Sequence, residues 1–275
     1  MPNQEMDELW NGPASRAWVD APDRYDRTLE GFLPLVLEAA ALERGDRVLD
    51  VGCGSGALAR AAYERVSPGG SVTGVDISGP LVELARERSP GIEVVQADAQ
   101  VHDLGTDAFD ALVSRFGVMF FDDPVAAFAN LRRAVRPDGR LAFVAWQSAP
   151  SNAWVMTAIG ALIEHVPMPD LPGPGAPGPF AFAEADRVRS LLTEAGWRSV
   201  EVEPVETSIL VGGPGDVDSV LAFYEQDPVG QVLLSKASEA QRTAAHASLR
   251  RVVEERIASD GLWLGAAVWL VTARA

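Results

Sequence analysis

Residues 47–57 of the chain are RVLDVGCGSGA, and this stretch decides the fold class. Its first five residues are mostly aliphatic, which predicts a short buried strand over 47–51. Three alternating glycines follow at once and predict a tight loop. Apolar residues then recur at the spacing of a helix with one buried face, at Leu58, Ala59, Ala62 and Val66. A strand, a glycine loop and a helix in direct succession are typical of the first unit of an open α/β sheet.

The same alternation of short apolar runs and helical stretches continues beyond this unit. Further strands are predicted, in chain order, at 72–76, 92–96, 109–114, 141–146, 200–211 and 263–273. A Pro-Asp-Gly turn at 137–139 should precede the strand at 141–146, and Pro204 should break the next one. Strands that are separated by helices run parallel with right-handed crossovers. The sequence therefore predicts an α/β fold with a doubly wound, mostly parallel sheet.

The rest of the chain is predicted to surround this sheet. Residues 1–45 should form an N-terminal helical cap, and residues 46–275 the main domain. Two insertions, at about 151–180 and 212–260, should be helical lids over the carboxyl edge of the sheet, where open α/β sheets bind ligands. Trp10 and Trp18, in the cap, either fold over a bound ligand or belong to a helix packed on the sheet.

Composition and charge exclude several classes of protein. The chain has 275 residues and a formal net charge of −16, which opposes binding to nucleic acid and to anionic membranes. No window of 18 unbroken apolar residues predicts a membrane span, and the first residues do not resemble a signal peptide. Cys53 is the single cysteine, so neither an intrachain disulfide nor a cysteine-built metal site is expected. We expect a cytoplasmic protein without a metal.

The glycine loop fits two binding motifs. Gly52-x-Gly54-x-x-Ala57 matches the dinucleotide fingerprint, and Asp50-x-Gly52-x-Gly54-x-Gly56 matches a motif for S-adenosylmethionine. Charge distinguishes between the two ligands, because an acid near the loop would repel the pyrophosphate of a dinucleotide. S-adenosylmethionine instead presents a cationic sulfonium and an ammonium group. The acid at position 50 therefore favours S-adenosylmethionine.

Two further acids follow the next predicted strands. Asp76 ends the second strand, where a carboxylate can accept both hydroxyls of a ribose; dinucleotide enzymes place an acid there too. Asp98 follows the third strand, where it can accept the exocyclic amine of adenine while the amide of Ala99 meets a ring nitrogen. Alternatively, each acid only caps a loop or is solvated. Their occurrence at the ends of successive strands favours a cofactor site.

With these motifs in place, residues 46–146 resemble the core of class I S-adenosylmethionine-dependent methyltransferases, in particular the branch that modifies small molecules. The resemblance lies in VLDVGCGSG (48–56), VDIS (75–78), QADA (96–99) and LRRAVRPDGRL (131–141). It implies a seven-stranded sheet of order 3-2-1-4-5-7-6, S-adenosylmethionine as cofactor, and methyl transfer to a small organic acceptor such as a natural-product intermediate. The residues predicted to bind the cofactor are Asp50, Gly52, Cys53, Gly54, Gly56, Asp76, Ile77, Asp98, Ala99, Ser114 and Arg115.

The residues that could bind the acceptor or assist the reaction carry weaker signals. Phe116, Met119 and Trp146 either line an apolar substrate pocket or pack in the core. His165 ends a predicted helix before a proline-rich loop, so it is either a general base in the roof of the pocket or a helix-capping residue. His246 shares a predicted helical face with apolar residues and should be packed. The donor is already activated, so catalysis is expected to rest mainly on alignment and exclusion of water.

Two other functions fit the glycine loop. A nicotinamide oxidoreductase is disfavoured by the acids and by Lys236, the sole lysine, which has no tyrosine four residues before it. A protein that binds S-adenosylmethionine without transferring its methyl group would carry the same cofactor motifs. No Asn-Pro-Pro-Tyr or Asp-Pro-Pro-Tyr run follows the fourth strand, which argues against methylation of nucleic-acid bases or protein glutamine.

The cofactor prediction can be tested on the purified protein. S-adenosylhomocysteine should raise the melting temperature, because a ligand that binds only the native state stabilises it by mass action. NAD at the same concentration should leave it unchanged. A thermal shift with NAD and none with S-adenosylhomocysteine would make the dinucleotide interpretation correct.

Overall fold

The computed structural model describes residues 3–167, 173 and 175–275. The strands are β1 (Arg47–Val51), β2 (Ser71–Asp76), β3 (Glu93–Gln96), β4 (Phe109–Arg115), β5 (Val135–Trp146), β6 (Arg198–Val211) and β7 (Leu262–Arg274). The helices are α1 (Gln4–Trp10), α2 (Pro13–Asp20), α3 (Pro22–Thr28), α4 (Phe32–Ala39), α5 (Ala57–Val66), α6 (Gly79–Arg88), α7 (Pro124–Ala134), α8 (Ala153–Leu162), α9 (Ala185–Glu194), α10 (Val217–Gln226), α11 (Pro228–Leu234) and α12 (Glu239–Glu254). A short 3₁₀ helix, Gly117–Phe120, follows β4.

The seven strands form one sheet in the order β3-β2-β1-β4-β5-β7-β6, which confirms the predicted fold class and strand order. The first five strands pair in parallel, whereas β7 is antiparallel to both β5 and β6. The parallel arrangement follows from the helices between these strands, since a parallel pair needs a crossover connection. The carboxyl ends of β1 to β5 therefore meet along one edge of the sheet.

Two strands differ from their predicted course. Pro204 does not break β6; it pairs with Trp269 of β7 inside a continuous strand. The strand tolerates the proline because β6 is at the edge of the sheet, where a missing N–H leaves no neighbouring strand unpaired. The fifth strand begins at Val135 and not at 141. Its pairing with β4 shifts between Phe109 and Ala111, so the predicted turn at 137–139 is a bulge within the strand.

The lids also differ in detail from the prediction. The second insertion holds three helices, α10 to α12, where the sequence indicated a helical stretch over 216–258. His246, predicted to be packed, has a side chain that is 41% exposed, and its Nε2 lies 3.2 Å from Glu225 Oε1. Part of the first insertion, residues 168–172 and 174, lies outside the described residues. No helix in the described ranges is long and apolar enough to cross a membrane.

A close backbone contact joins the loops that follow β1 and β4. A Cβ atom on Gly52, whose φ is +67°, would lie 2.5 Å from the Cα of Gly117. A Cβ atom on Gly117 would lie 2.6 Å from the carbonyl oxygen of Val51. The buried Ser114 hydroxyl donates to that same oxygen at 2.7 Å. The two central loops can therefore approach this closely only because both positions are glycine.

We expect Gly117→Ala to lower the melting temperature by about 3–10 °C, because the added methyl group meets backbone atoms that cannot turn away. The matched control is Gly160→Ala in α8, where an added Cβ meets no atom within 4 Å. That change should raise stability by about 0.4–1 kcal/mol, since alanine restricts the unfolded chain. Thermal unfolding of both variants decides the matter, and equal melting temperatures would contradict the contact.

Candidate functional site

A large cavity opens at the carboxyl edge of the sheet. It encloses about 1360 Å³, with its open mouth included, and its walls come from the ends of β1, β2, β3, β4 and β5 and from the helices above them. Every predicted site residue except Gly56, Ser114 and His165 lines it. The structure therefore brings the predicted cofactor-binding and acceptor-binding residues together in one chamber.

The three exceptions have other positions in the structure. Gly56 caps the start of α5 with a φ of +81°, where a Cβ would lie 2.6 Å from Ser89 Oγ. Ser114 is buried, and its hydroxyl holds the end of β1, as described above. His165 lies just beyond α8 and is not among the described residues that line the cavity. Gly56 and Ser114 thus shape the loops, and the structure does not bring His165 to the predicted site.

Asp50 is a buried carboxylate at the cavity wall. It is 1% exposed, and neither carboxylate oxygen has a hydrogen-bond partner in the described part of the chain. Burial raises its pKa to about 7; the nearby Arg115 opposes this rise, and the charge of Asp76 adds to it. A buried acid without partners is costly unless a ligand compensates for it. A cationic ligand in the cavity would lower this pKa and stabilise the charged form.

Asp76 has a second task that its position in the sequence did not indicate. Its Oδ2 accepts the N–H of Gly54 at 2.8 Å, and its Oδ1 accepts the N–H of Ser78 at 2.9 Å. Burial raises its pKa, and these backbone amides oppose the rise. The carboxylate thus shapes the glycine loop, and each oxygen keeps a lone pair for a further donor.

Asp98 offers a free acceptor at the neighbouring strand end. Its Oδ1 accepts the N–H of Gln100 at 2.9 Å and the side-chain amide of Asn3 at 3.4 Å. Its Oδ2 is buried and has no hydrogen-bond partner among the described residues. Such an atom requires a donor from a ligand or from water. The exocyclic amine of an adenine is a donor of this kind.

The amino-terminal leader is fixed to these same loops, which sequence reasoning left open. The Ser78 hydroxyl donates to the carbonyl of Trp10 at 2.7 Å, and the N–H of Gly79 donates to Asn11 Oδ1 at 2.9 Å. Trp10 and Trp18 both line the cavity. The helices α1 and α2 therefore form part of the roof. In the sequence, Trp10 and Trp18 were the residues that suggested such a position for the leader.

A buried guanidinium lies near the centre of the cavity wall. Arg115 donates to the carbonyl of Leu29 at 3.1 Å, and its Nη2 lies 3.7 Å from Asp26 Oδ1. Burial lowers the pKa of Arg115, and the charges of Asp26 and Asp50 oppose this effect. Asp26 also accepts the hydroxyl of Ser55 from the glycine loop, at 2.7 Å. Sequence reasoning missed Asp26, because it lies in the leader and carries no motif.

The roof and far wall consist of aromatic rings in edge or face contact. We call this set the aromatic arch. Its first residue ends the 3₁₀ helix after β4 and its last residue precedes that helix, and each consecutive pair has ring centroids 4.2–6.3 Å apart. In order of contact it comprises Phe120, Trp10, Trp18, Tyr25, Phe223, Trp154, Trp146 and Phe116, and all of these line the cavity.

Phe116 is the strained member of the arch. Its φ is +67°, a left-handed backbone that is rare for a bulky residue. This conformation stacks its ring on Trp146 with centroids 4.2 Å apart and planes 12° apart. It also directs the chain so that Gly117 reaches Gly52. Strain of this kind is retained where the surroundings impose it, often at functional sites.

Cys53 lines the cavity but is unsuited to act as a nucleophile. The thiol is buried, and its Sγ would lie 2.9 Å from a Cβ added to Gly74. Burial raises its pKa well above the usual value, and the charges of Asp76 and Asp50 raise it further. The thiol is therefore protonated and unreactive at neutral pH. Within the described ranges, no group of three His, Cys, Asp or Glu side chains is placed to hold a metal ion.

Comparisons with known proteins agree with this geometry. Residues 49–143 match the family model described as a methyltransferase domain. The chain is 34% identical over 154 residues to nocamycin O-methyltransferase of Saccharothrix syringae, covering 52% of this chain and 55% of that relative. It is 30% identical over 180 residues to demethylmenaquinone methyltransferase of Chlorobaculum tepidum, covering 61% of this chain and 73% of the relative.

A solved structure is similar in fold. Phosphoethanolamine N-methyltransferase 2 of Haemonchus contortus, in complex with S-adenosylmethionine, superposes with a TM-score of 0.53 at 18% identity, over 89% of this chain and 52% of that one. The family model and the Chlorobaculum tepidum relative, which the chain covers to 73% of its length, show that the chain belongs to the S-adenosylmethionine-dependent methyltransferases, whose cofactor is S-adenosylmethionine. The fold, the family and the cofactor inferred from the glycine loop are confirmed.

We expect Asp76→Ala to weaken the binding of S-adenosylhomocysteine by about 10–100-fold, because charge-assisted hydrogen bonds contribute roughly 1.5–3 kcal/mol. Part of this loss should come from the glycine loop, which loses the acceptor for the Gly54 N–H. The control is Asp103→Ala, whose side chain is 79% exposed in a surface ion pair with Arg133. Titration calorimetry measures both variants, and equal affinities would remove Asp76 from the site.

Proposed function

We propose that this protein transfers the methyl group of S-adenosylmethionine to a small, flat organic acceptor held beneath the aromatic arch. The observation that supports this is the continuity of one cavity, which holds both the strand-end acids and the arch. A cofactor against the acids and an acceptor against the rings would share one enclosed space.

The residues at the sheet edge fit the parts of the cofactor by charge and hydrogen-bonding capacity. Asp76 would bind the ribose, and Asp98 with Ala99 would bind the adenine. The unpartnered carboxylate of Asp50 suits the cationic ammonium of the methionine portion, and the buried guanidinium of Arg115 suits its carboxylate. When bound, S-adenosylmethionine supplies an activated methyl group on a positively charged sulfur. Gly52, Cys53, Gly54 and Ile77 would border it through the backbone.

The acceptor end of the cavity has a different chemistry. Phe116 and Trp146 stack face to face, and Met119 lies beside them in the lining. Flat aromatic walls favour a flat acceptor, which gains offset-stacked or edge contacts with the rings. Two relatives are named nocamycin O-methyltransferase and demethylmenaquinone methyltransferase, which supports a small organic acceptor. Here the protein would act by holding the acceptor in line with the methyl group and by excluding water.

The enclosure would come from three parts of the chain. We propose that residues 1–45 are a cap that covers the cofactor, and that the insertions at about 151–180 and 212–260 are lids over the acceptor. Tyr25 of the cap stacks on Trp18 and contacts Phe223 of the second lid, which supports this division. With a net charge of −16, the protein is proposed to act on a free small molecule in the cytoplasm and not on nucleic acid.

Methyl transfer itself is tested with isotopically labelled S-adenosylmethionine. The label should pass to products when the protein is given a panel of flat hydroxylated aromatic and quinone acceptors. Release of S-adenosylhomocysteine should accompany it in equal amount. Tight cofactor binding without transfer to any member of the panel would favour the alternative, a protein that binds S-adenosylmethionine without using its methyl group.

Two variants then test where the acceptor lies. Trp146→Ala should lower the transfer rate by about 100-fold, because the acceptor loses its stacking surface and its alignment. His165→Ala should cost far less than the roughly 100-fold expected for a positioned base, since it lies away from the cavity lining. Affinity for S-adenosylhomocysteine should be unchanged in both. The reverse order of losses would place the reaction near His165.

A further inference from the structure

Two residues with polar groups, Tyr25 and Asp227, line the cavity at or beside the aromatic arch. Tyr25 is 1% exposed, and its hydroxyl has no hydrogen-bond partner in the described part of the chain. Its ring is held on both sides, stacked on Trp18 at 4.2 Å and tilted against Phe223 at 5.7 Å. The residue lines the cavity. A buried hydroxyl without a partner costs free energy unless a ligand or water satisfies it.

Asp227 supplies the second group. It follows α10 by one residue, and its backbone N–H donates to the carbonyl of the arch residue Phe223 at 2.8 Å. Its side chain caps α11, where Oδ1 accepts the N–H of Val229 at 2.8 Å. Asp227 also lines the cavity. A carboxylate has about four lone-pair sites, so this capping bond leaves acceptor capacity unused.

Phe223 links the two residues, because the ring of Tyr25 packs against its ring and the N–H of Asp227 donates to its carbonyl. Burial raises the pKa of Asp227 to about 6, and the amides of Val229 and Gly230 oppose the rise. Burial also raises the pKa of Tyr25, and the charge of Asp227 is the next largest cause. The charged and ionisable groups around the pair are Tyr224, whose hydroxyl bonds to Trp154, together with Arg24 and Arg256. Arg24 lowers the pKa of Tyr25 and Arg256 lowers the pKa of Tyr224, but burial has the larger effect on both.

The described lining of the cavity contains other ionisable groups. In the described lining these are Asp50, Asp76, Asp98, Arg115 and the buried thiol of Cys53, all on strand ends or the loops after them. Tyr25 and Asp227 come instead from the cap and from the second lid.

Resting on the methyltransferase function proposed above, we infer that Tyr25 and Asp227 hold the hydroxyl group of a phenolic or enolic acceptor, and that Asp227 receives its proton. A hydroxyl needs one acceptor for its hydrogen and one donor for its oxygen, and these two residues supply one of each. The aromatic walls suit the ring that carries such a hydroxyl.

Methyl transfer to the acceptor needs only the methyl donor, the acceptor hydroxyl and the Asp227 carboxylate. The acceptor oxygen forms a bond to the methyl carbon while the bond from that carbon to sulfur breaks. The electron pair of the broken bond stays on sulfur, which becomes the neutral sulfide of S-adenosylhomocysteine. The hydroxyl proton passes to the Asp227 carboxylate and from there to solvent when the products leave. A base of this kind is most effective when its pKa is near the working pH.

The test uses para-nitrophenol, whose absorbance reports its ionisation, bound to the full protein with S-adenosylhomocysteine. At a pH well above the pKa of Asp227, its negative charge should disfavour the bound phenolate. Asp227→Asn should therefore lower the pKa of bound para-nitrophenol by about one unit or more, which is about a tenfold change in its ionisation ratio. Asparagine is also a good helix cap, so α11 should keep its start.

Tyr25→Phe should act in the opposite direction. The hydroxyl of Tyr25 donates to the phenolate, so its loss should raise the pKa of the bound probe and weaken binding by about 2–10-fold. The matched control is Glu225→Gln, an exposed carboxylate near the end of the same helix α10, which should leave both quantities at wild-type values.

Calorimetry with S-adenosylhomocysteine separates this inference from the function on which it rests. An affinity for S-adenosylhomocysteine within about twofold of wild type in all variants would show that the cofactor site is intact. Absence of binding to the wild-type protein would contradict the proposed function itself. With the cofactor bound, a probe pKa that is the same in wild type and Asp227→Asn overturns the inference. Failure to bind para-nitrophenol while the cationic amine benzylamine binds overturns it too.

Discussion

The contact between Gly52 and Gly117 is the constraint on which the site depends. It brings the loop after β1 against the loop after β4, backbone to backbone. One side of this contact carries the glycines and acids of the cofactor end, and the other begins the aromatic arch at Phe116. The left-handed backbone of Phe116 makes the turn possible and stacks its ring on Trp146. The spacing between the strand-end acids and the first ring of the arch is therefore set by backbone atoms of the two central loops.

The acids of the cavity differ because their partners differ. Asp76 accepts two backbone N–H groups, Asp98 has one oxygen without a partner, and Asp50 has two. In the interior of a protein, an unpartnered carboxylate is costly, so these atoms mark where a ligand must provide donors or positive charge. Arg115, held by Asp26 and by the Leu29 carbonyl, supplies the one guanidinium among the described lining residues. Together they match a ligand that carries both charges at one end.

The roof is assembled from parts of the chain that are far apart in sequence. The leader gives Trp10, Trp18 and Tyr25, and the insertions give Trp154 and Phe223. These parts pack on one another through ring contacts. The rings that cover the cavity therefore also bury each other's apolar surface. Tyr25 and Asp227 both line the cavity, and both are linked to Phe223 of α10.

The amino-acid sequence by itself determined the sheet and the position of the acids at its edge. Periodicity and glycine spacing act within a few residues, and parallel strands bring their carboxyl ends to one edge, so Asp50, Asp76 and Asp98 could be placed from local pattern alone. Tertiary structure decided the rest. Pro204 remains in a strand because β6 is an edge, and the ring contact of Tyr25 with Phe223 joins residues about 200 positions apart. No local pattern encodes such a pair, because its members become neighbours only when the cap and the lid pack against each other.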